Sequence, residues 1–330
     1  MTMHVLVTGG AGYIGSHTAR ALAGAGFSPV VVDNLSTGHD WAVKWGPLVV
    51  ADLADRGALE SVFDAYPIQA VIHFAASAYV GESMQNPGLY FRNNVANTAV
   101  LLEAMRAHAV DRIVFSSSCA TYGYLETVPV AEDHRQSPVS PYGESKLMVE
   151  RMLYWFARIH GFRAVALRYF NAAGADPEGE IGETHDPETH LIPRAIQAAL
   201  GCGPMLDLYG DDYPTPDGSA VRDYIHVSDL ATAHVAALGH LEHAEGLLAF
   251  NLGAGVGHSV KQVIAMVEAV GGRSVPCRVT ARRPGDPAAL IADARRATDV
   301  LRWQPQLSSL RTIVETAWAW QVKSTAPRAG

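Results

Sequence analysis

The run Gly9-Gly10-Ala11-Gly12-Tyr13-Ile14-Gly15-Ser16 constrains this chain more than any other stretch. It follows directly on His4-Val5-Leu6-Val7-Thr8, a short run rich in β-branched residues, and a helical pattern then continues to about Gly24. Strand, glycine turn and helix in that order open a doubly wound α/β fold. Glycines at 9, 12 and 15 let the backbone turn tightly and approach a pyrophosphate seated on the helix N-terminus, where Tyr13 and Ile14 begin the first turn.

The next strand, Ser28 to Val32, ends in Asp33-Asn34. An acidic residue about twenty positions after the glycine turn hydrogen-bonds the adenosine ribose hydroxyls. A carboxylate there repels a 2′-phosphate, so NAD is expected over NADP. Leu48–Ala51 reads as a third strand closed by Asp52-Leu53, and residues 55–66 as a helix. Ala70-Val71-Ile72-His73-Phe74 is apolar enough for a sheet covered on both faces. Phe74, Ala75 and Ala76 then leave room for a cofactor at the strand's C-terminal end. One long helix is expected from Pro87 to about His108, with Asn93 turned inward to brace the cofactor site. A fifth strand, Asp111 to Phe115, runs into the hydroxyl-rich Ser116-Ser117-Ser118.

Ser140-Pro141-Tyr142-Gly143-Glu144-Ser145-Lys146 begins another helix, since Pro141 suits a first turn. Tyr142 and Lys146, four residues apart, share one of its faces. A phenol is a poor base at neutral pH, and an ammonium beside it lowers its pKa toward the working range. That pair makes a tyrosine a general acid/base, and Ser118 at the end of the central strand is its natural partner. A sixth strand, Ala164–Arg168, leads into Tyr169-Phe170-Asn171, and the Ala249–Leu252 strand returns to the sheet.

Composition narrows the function classes. The chain has 330 residues, 48% apolar and 18% charged, with a net charge of −8 and no basic run, which argues against nucleic acid as a partner. Its three cysteines have no metal-binding spacing and cannot all pair, which suits a reducing cytoplasm. The fourteen histidines form no metal-binding motif, and no metal is expected. Neither a signal peptide nor a bilayer-spanning run is read in it.

With these pieces in place the chain resembles the UDP-sugar 4-epimerases of the extended short-chain dehydrogenase/reductase family, those of UDP-glucose and UDP-galactose in particular. The likeness is carried by Thr8–Ser16, Asp33-Asn34-Leu35, Val80-Gly81-Glu82-Ser83, Asn93-Asn94-Val95, Phe115–Ser118, Pro141–Met148 and Arg168–Asn171. It continues in Tyr213-Pro214-Thr215, Arg222–Val227, Asn251–Gly255 and Arg283-Pro284-Gly285-Asp286. The resemblance implies a Rossmann-type doubly wound parallel sheet with a smaller C-terminal α/β lobe. Residues 1–171, with returning segments near 223–252, would bind NAD, and 172–330 would mainly bind the UDP-sugar. Tyr142 would take the proton from the sugar O4 as hydride leaves C4, Lys146 would lower the tyrosine pKa and hold the nicotinamide ribose, and Ser118 would relay the proton. Asp52 and Leu53 would lie along the adenine, with Ser116 and Tyr169 completing the cofactor site. Asn171, His190, Leu191, Arg222, Arg283, Asp286 and Leu290 would line the substrate site, the arginines neutralising the diphosphate. A homodimer through the Pro87–His108 and Tyr142 helices is also implied.

Three positions depart from the family. A lysine common after the fourth strand is Ala78 here, with Tyr79 beside it, an asparagine before the Leu-x-Pro segment is His190, and the position that gates sugar size is Leu290. Nucleotide-sugar dehydratases place an Asp-Glu pair just after the crevice hydroxyl, where this chain has Cys119-Ala120, so dehydration is not expected. Epimerisation of another UDP-sugar stays open. A non-catalytic NAD sensor would be expected to lack Tyr142 or Lys146, and both are present.

Overall fold

The computed structural model describes residues 2–125, 127–283 and 286–325. Its strands are β1 (His4–Thr8), β2 (Ser28–Asp33), β3 (Leu48–Val50), β4 (Ile68–His73), β5 (Arg112–Ser118), β6 (Arg163–Tyr169), β7 (Asn171–Ala173), β8 (Leu206–Tyr209), β9 (Val221–His226), β10 (Leu247–Leu252), β11 (Gly257–Ser259), β12 (Cys277–Thr280) and β13 (Ala289–Leu290). Seven of them form one sheet in the order β10-β6-β5-β4-β1-β2-β3. Every pairing in it is parallel. The strand order reverses between β1 and β4, and ligands of such sheets bind in the crevice beyond the strand ends at that point.

The apolar runs of these strands are explained by burial on both faces. One face packs Val5, Val7, Val31, Ile72 and Val114 against Ala19 and Leu22 of the Tyr13–Gly24 helix and Leu230 and Leu238 of the Val227–His240 helix. The other packs Leu6, Val30, Val71 and Ile113 against Leu59, Leu101, Leu102, Val149 and Leu153. The expected return of the chain to the sheet is β10, which runs parallel to β6 with Asn251 opposite Arg168.

A smaller sheet is built around β9, which pairs β7, β11 and β13. A two-stranded β8–β12 pair and the helices Leu191–Leu200, Val260–Gly271 and Leu310–Thr325 surround a separate core containing Leu208, Tyr224, Ile196, Val267 and Val314. β6 and β7 are separated by Phe170 alone, so the chain steps from the large sheet to the small one within a single residue.

Two helices set up the site. In Pro141–His160, Ser140 caps the start by accepting from the Gly143 N–H at 3.2 Å, and Gly161 ends it in the left-handed region at φ 72°. The helix expected from Pro87 to His108 is not a uniform α-helix. It runs as Pro87–Tyr90, a π-helical segment Phe91–Ala96, and Asn97–Ala107. π-Segments recur at functional sites, and the wider turn rotates the residues that follow. Among the described residues no helix is long and apolar enough to cross a membrane.

Candidate active site

The glycine turn sits at the C-terminal end of β1. Gly9 has φ 71°, and a Cβ on it would lie 2.5 Å from the Ala75 backbone nitrogen. A Cβ on Gly15 would lie 2.2 Å from the Gly9 carbonyl oxygen, so helix and turn touch only because both positions are glycine. Gly12 is the N-cap of the first helix and supplies no capping side chain, leaving the N–H groups around Tyr13 and Ile14 without one. Asp33, 8% exposed, accepts from the Ala11 N–H at 3.0 Å and the Leu35 N–H at 2.9 Å. Burial raises its pKa. Asn34 donates to Asp52 at 2.8 Å, Leu53 is buried below them, and the Phe74 and Ala75 N–H groups both bond the Thr8 carbonyl. Uncapped helix, glycine cradle and buried carboxylate fit a dinucleotide.

Ser118 closes β5, and its hydroxyl accepts from the Ala120 N–H at 3.1 Å. Lys146 is 3% exposed and donates to the Ser116 carbonyl at 2.8 Å, with Nζ 5.8 Å from the centre of the Tyr142 ring. The Ser116 and Tyr169 hydroxyls bond each other. Ser116, Ser118, Tyr142, Lys146 and Tyr169, from separate stretches of the sequence, come together here, and burial shapes their electrostatics. Burial pushes the Tyr142 phenol up to about 12, with hydrogen bonding to Ser118 offsetting part of the rise. Burial also pulls the Lys146 ammonium down to about 7. The lysine is thus a cation that burial disfavours in the free protein.

That depression has a sign that can be tested. Between pH 7 and the ordinary lysine value the unfolded chain holds more protons on Lys146 than the folded one, so stability rises with pH through that window and the cost is full below pH 7. In NAD-free protein, Lys146→Met should flatten this rise. Thermal unfolding at pH 6 and pH 9 checks it, the variant's gain over wild type being larger at pH 6 than at pH 9. Equal differences at both values would remove the buried ammonium as the cause.

Asn93 was the expected brace, and the structure divides that role. Asn93 is half-buried and donates to the Ser77 hydroxyl at 3.0 Å. Asn94, 2% exposed, does more. It accepts from the Ser77 N–H at 2.8 Å and donates to the Ser77 carbonyl at 3.0 Å and the Ser145 hydroxyl at 2.9 Å. It therefore clamps the loop after β4 to the Tyr142 helix. The π-segment is what turns it inward, and a 3.6-residue period does not anticipate that.

On the substrate side, Asn171 opens β7 with its Oδ1 buried and unpartnered, as a ligand-facing amide would be. Arg222 on β9 donates to the Val221 carbonyl at 2.7 Å and pairs with Asp286. The Arg283 guanidinium lies 4.0 Å over the Tyr209 ring. Pro284 and Gly285 of the expected motif lie outside the described residues. Leu290 stands opposite Arg222 in the β13–β9 register and packs with Cys119 and Leu125 against Tyr122, Phe170 and Ala292. His190, expected on the substrate side, has a half-exposed ring that pairs with Glu183, and its backbone N–H donates to Glu188 at 2.8 Å. Leu191 then begins the next helix.

Sequence reasoning missed a buried carboxylate and a buried ion pair. Asp223, fully buried, accepts from the N–H groups of Ala254, Gly255 and Ala292 at 2.8, 3.0 and 3.1 Å, and burial raises its pKa to about 6. Under Ser118, Glu150 accepts from Ser117 at 2.6 Å and from Arg168 at 3.0 and 2.6 Å. Arg168 also donates to Tyr122 at 3.0 Å, and Tyr122 to Asn251 at 2.6 Å.

Residues 5–253 match the model of the NAD dependent epimerase/dehydratase family. The chain belongs to that family. Among curated epimerase/dehydratase relatives, the UDP-glucose 4-epimerase of Halalkalibacterium halodurans is 49% identical over 318 residues, covering 96% of this chain and 95% of its own. The solved UDP-glucose 4-epimerase of Brucella ovis in complex with NAD is 54% identical with a TM-score of 0.94, covering 96% of this chain and 98% of that one. A UDP-glucose 4-epimerase from Stenotrophomonas maltophila with bound NAD and formylated UDP-arabinopyranose is 41% identical with a TM-score of 0.94, covering 98% of each chain. The span matched to the epimerase/dehydratase family holds the glycine turn, Ser118, Tyr142, Lys146 and Arg222. Arg283, Asp286 and Leu290 lie beyond it.

Proposed function

We propose that this chain interconverts UDP-glucose and UDP-galactose by epimerisation at C4 of the hexose, with NAD as its cofactor. The observation that carries the reading is the convergence of Ser118, Tyr142 and Lys146 at the end of β5, with the glycine turn and Asp33 at the neighbouring end of the same sheet. Bound NAD+ supplies a hydride acceptor and a positive charge, and net redox over the cycle is zero. Tyr142 takes the proton of the O4 hydroxyl and later returns it. Ser118 bonds both the phenol and that hydroxyl, so the proton has a short path. Lys146, tied to the Ser116 carbonyl, fixes the position of its cation between the tyrosine ring and the cofactor. Gly9, Gly12, Tyr13, Ile14 and Gly15 take the pyrophosphate and Asp33 the ribose, with Asn34, Asp52, Leu53, Phe74, Ala75 and Ala76 lining the site. Asn93 braces it, and Ser116 and Tyr169 close it.

Asn171, Leu191, Arg222 and Arg283 grip the UDP, and Asp286 orients Arg222. Such a grip leaves the hexose free to present either face of its 4-keto form. In this division of labour residues 1–171, with the returning segments near 223–252, are the NAD-binding domain, and 172–330 mainly bind the UDP-sugar. Leu290, beside Cys119, borders the sugar. It is intermediate in size between a residue that excludes an N-acetyl group and one that admits it, so UDP-N-acetylhexosamines stand as an alternative substrate class.

Purified protein should interconvert UDP-glucose and UDP-galactose, with UDP-N-acetylgalactosamine and UDP-xylose run beside them and products resolved by chromatography. No turnover of any of the four defeats the reading. The Tyr142 helix exposes Met148, Trp155 and Ile159 along one side, and Phe91 is exposed on the neighbouring helix. These side chains support a homodimer through the two helices, and light scattering giving a monomer at micromolar concentration would exclude it. Cys119, Cys202 and Cys277 are free, in keeping with a cytoplasmic protein.

A further inference from the structure

Glu183, His185, Glu188 and His190 come from one eight-residue stretch of loop, and each presents a ligand atom within 4.8 Å of the others. We propose that they form a structural site for a divalent transition ion of the zinc class. The chemistry at Tyr142 does not call for these four side chains together, and the proposal does not depend on the substrate reading.

The donor set is two imidazoles and two carboxylates. Borderline ions such as Zn2+, Co2+ or Ni2+ prefer this set, whereas Mg2+ and Ca2+ take oxygen alone. The spacings lie near what a borderline ion needs, with the widest pair of ligand atoms, up to 4.8 Å apart, closing on binding. A tetrahedral ion with bonds of about 2.0–2.1 Å keeps its ligand atoms about 3.3 Å apart. Here His185 Nδ1 lies 3.1 Å from Glu183 Oε1 and 3.7 Å from Glu188 Oε2, and His190 Nδ1 lies 3.7 Å from Glu188 Oε1. His190 and Glu183 stand closer still, so this one edge would open slightly on binding. Both glutamate side chains are only 5% exposed and their partners are the two imidazoles, a buried cluster of donors into which a divalent ion would bring compensating charge. The His185 Nδ1 is buried and makes no aligned hydrogen bond, although Glu183 Oε1 is 3.1 Å away.

The surroundings are those of a fixed staple rather than an open reactive centre. The His185 ring meets Tyr13 and Tyr79 edge-on at 6.2 and 6.1 Å. The Glu183 carbonyl accepts from the Trp320 indole at 2.9 Å, and His190 is the N-cap of the Leu191–Leu200 helix. An ion held by four protein ligands would tie the first helix, the loop after β4 and the last helix to the start of that Leu191 helix. With all four positions filled by protein, no site remains for a catalytic water. Coordination requires neutral imidazoles, so binding releases any protons they carry.

The test uses untagged, chelator-treated protein with its NAD retained, titrated with Zn2+ by calorimetry and with Co2+ by visible absorption. About one Zn2+ per chain is expected, together with Co2+ bands of tetrahedral intensity and a rise in unfolding temperature. His185→Gln and Glu188→Gln should each weaken Zn2+ binding by at least roughly tenfold, a loss that even an outer-shell change produces. His243→Gln, at an exposed histidine, should leave it unchanged. Circular dichroism and retained NAD report that the variants are folded. Zn2+ binding that survives both loop substitutions, octahedral Co2+ spectra, or no saturable binding would overturn the proposal.

Discussion

Tyr142→Phe is expected to lower kcat by roughly 10³-fold, the range that a positioned acid/base contributes, while leaving NAD bound. The variant keeps the ring that packs against Tyr90, 6.4 Å away edge-on, and loses only the oxygen that Ser118 meets. Burial holds the proton of the hydroxyl up to about 12 in the free protein. Its removal relieves a buried polar group, so the variant should be no less stable than wild type. Two measurements are required, turnover with UDP-galactose and the NAD content of the purified protein. A variant that folds but has lost its NAD would mean that Tyr142 serves the cofactor rather than the proton. Turnover within tenfold of wild type would move the acid/base role to another residue.

Arg168→Met is expected to cost about 3–5 kcal/mol of unfolding free energy, because it leaves the Glu150 carboxylate buried with its strongest partner gone. The pair is 7% and 4% exposed, and the same arginine holds Tyr122, which in turn holds Asn251 on β10. Glu150→Leu combined with Arg168→Met should recover much of that loss, since no unpaired charge remains. Urea unfolding of the two single variants and the double variant gives the coupling directly. A single Arg168→Met costing less than about 1 kcal/mol would show that water reaches Glu150 and that the pair is not buried in solution.

The parts of the site that are local in sequence were legible. The glycine turn declares itself because only glycine fits at 9 and 15, and Asp33 because it ends the second strand. Tyr142 and Lys146 share a helix face whatever else the chain does. What could not be read depended on partners far along the chain or on an irregular turn. Asn94 is turned inward by a π-segment that no regular period predicts. Asp223 gathers N–H groups from residues 254, 255 and 292, a relation that exists only once three strands have met. The four ligand atoms of residues 183–190 lie close in sequence but on no helix or strand, so no repeat advertised them. The depression of Lys146 could not be read for a related reason: spacing gives proximity, and burial, which lowers its pKa, is a property of the whole fold.

In the small sheet, Arg222 on β9 stands opposite Leu290 on β13, and Asn171 opens β7 on the far end of the same strand. None of these positions belongs to the large sheet that carries Ser118, nor to the helix that carries Tyr142 and Lys146. On the proposed reading, the residues that admit the sugar and those that act on it stand on separate pieces of scaffold, joined at Phe170. On that reading a smaller or larger residue at 290 would change the diet of the protein and leave the reaction machinery of Ser118, Tyr142 and Lys146 untouched.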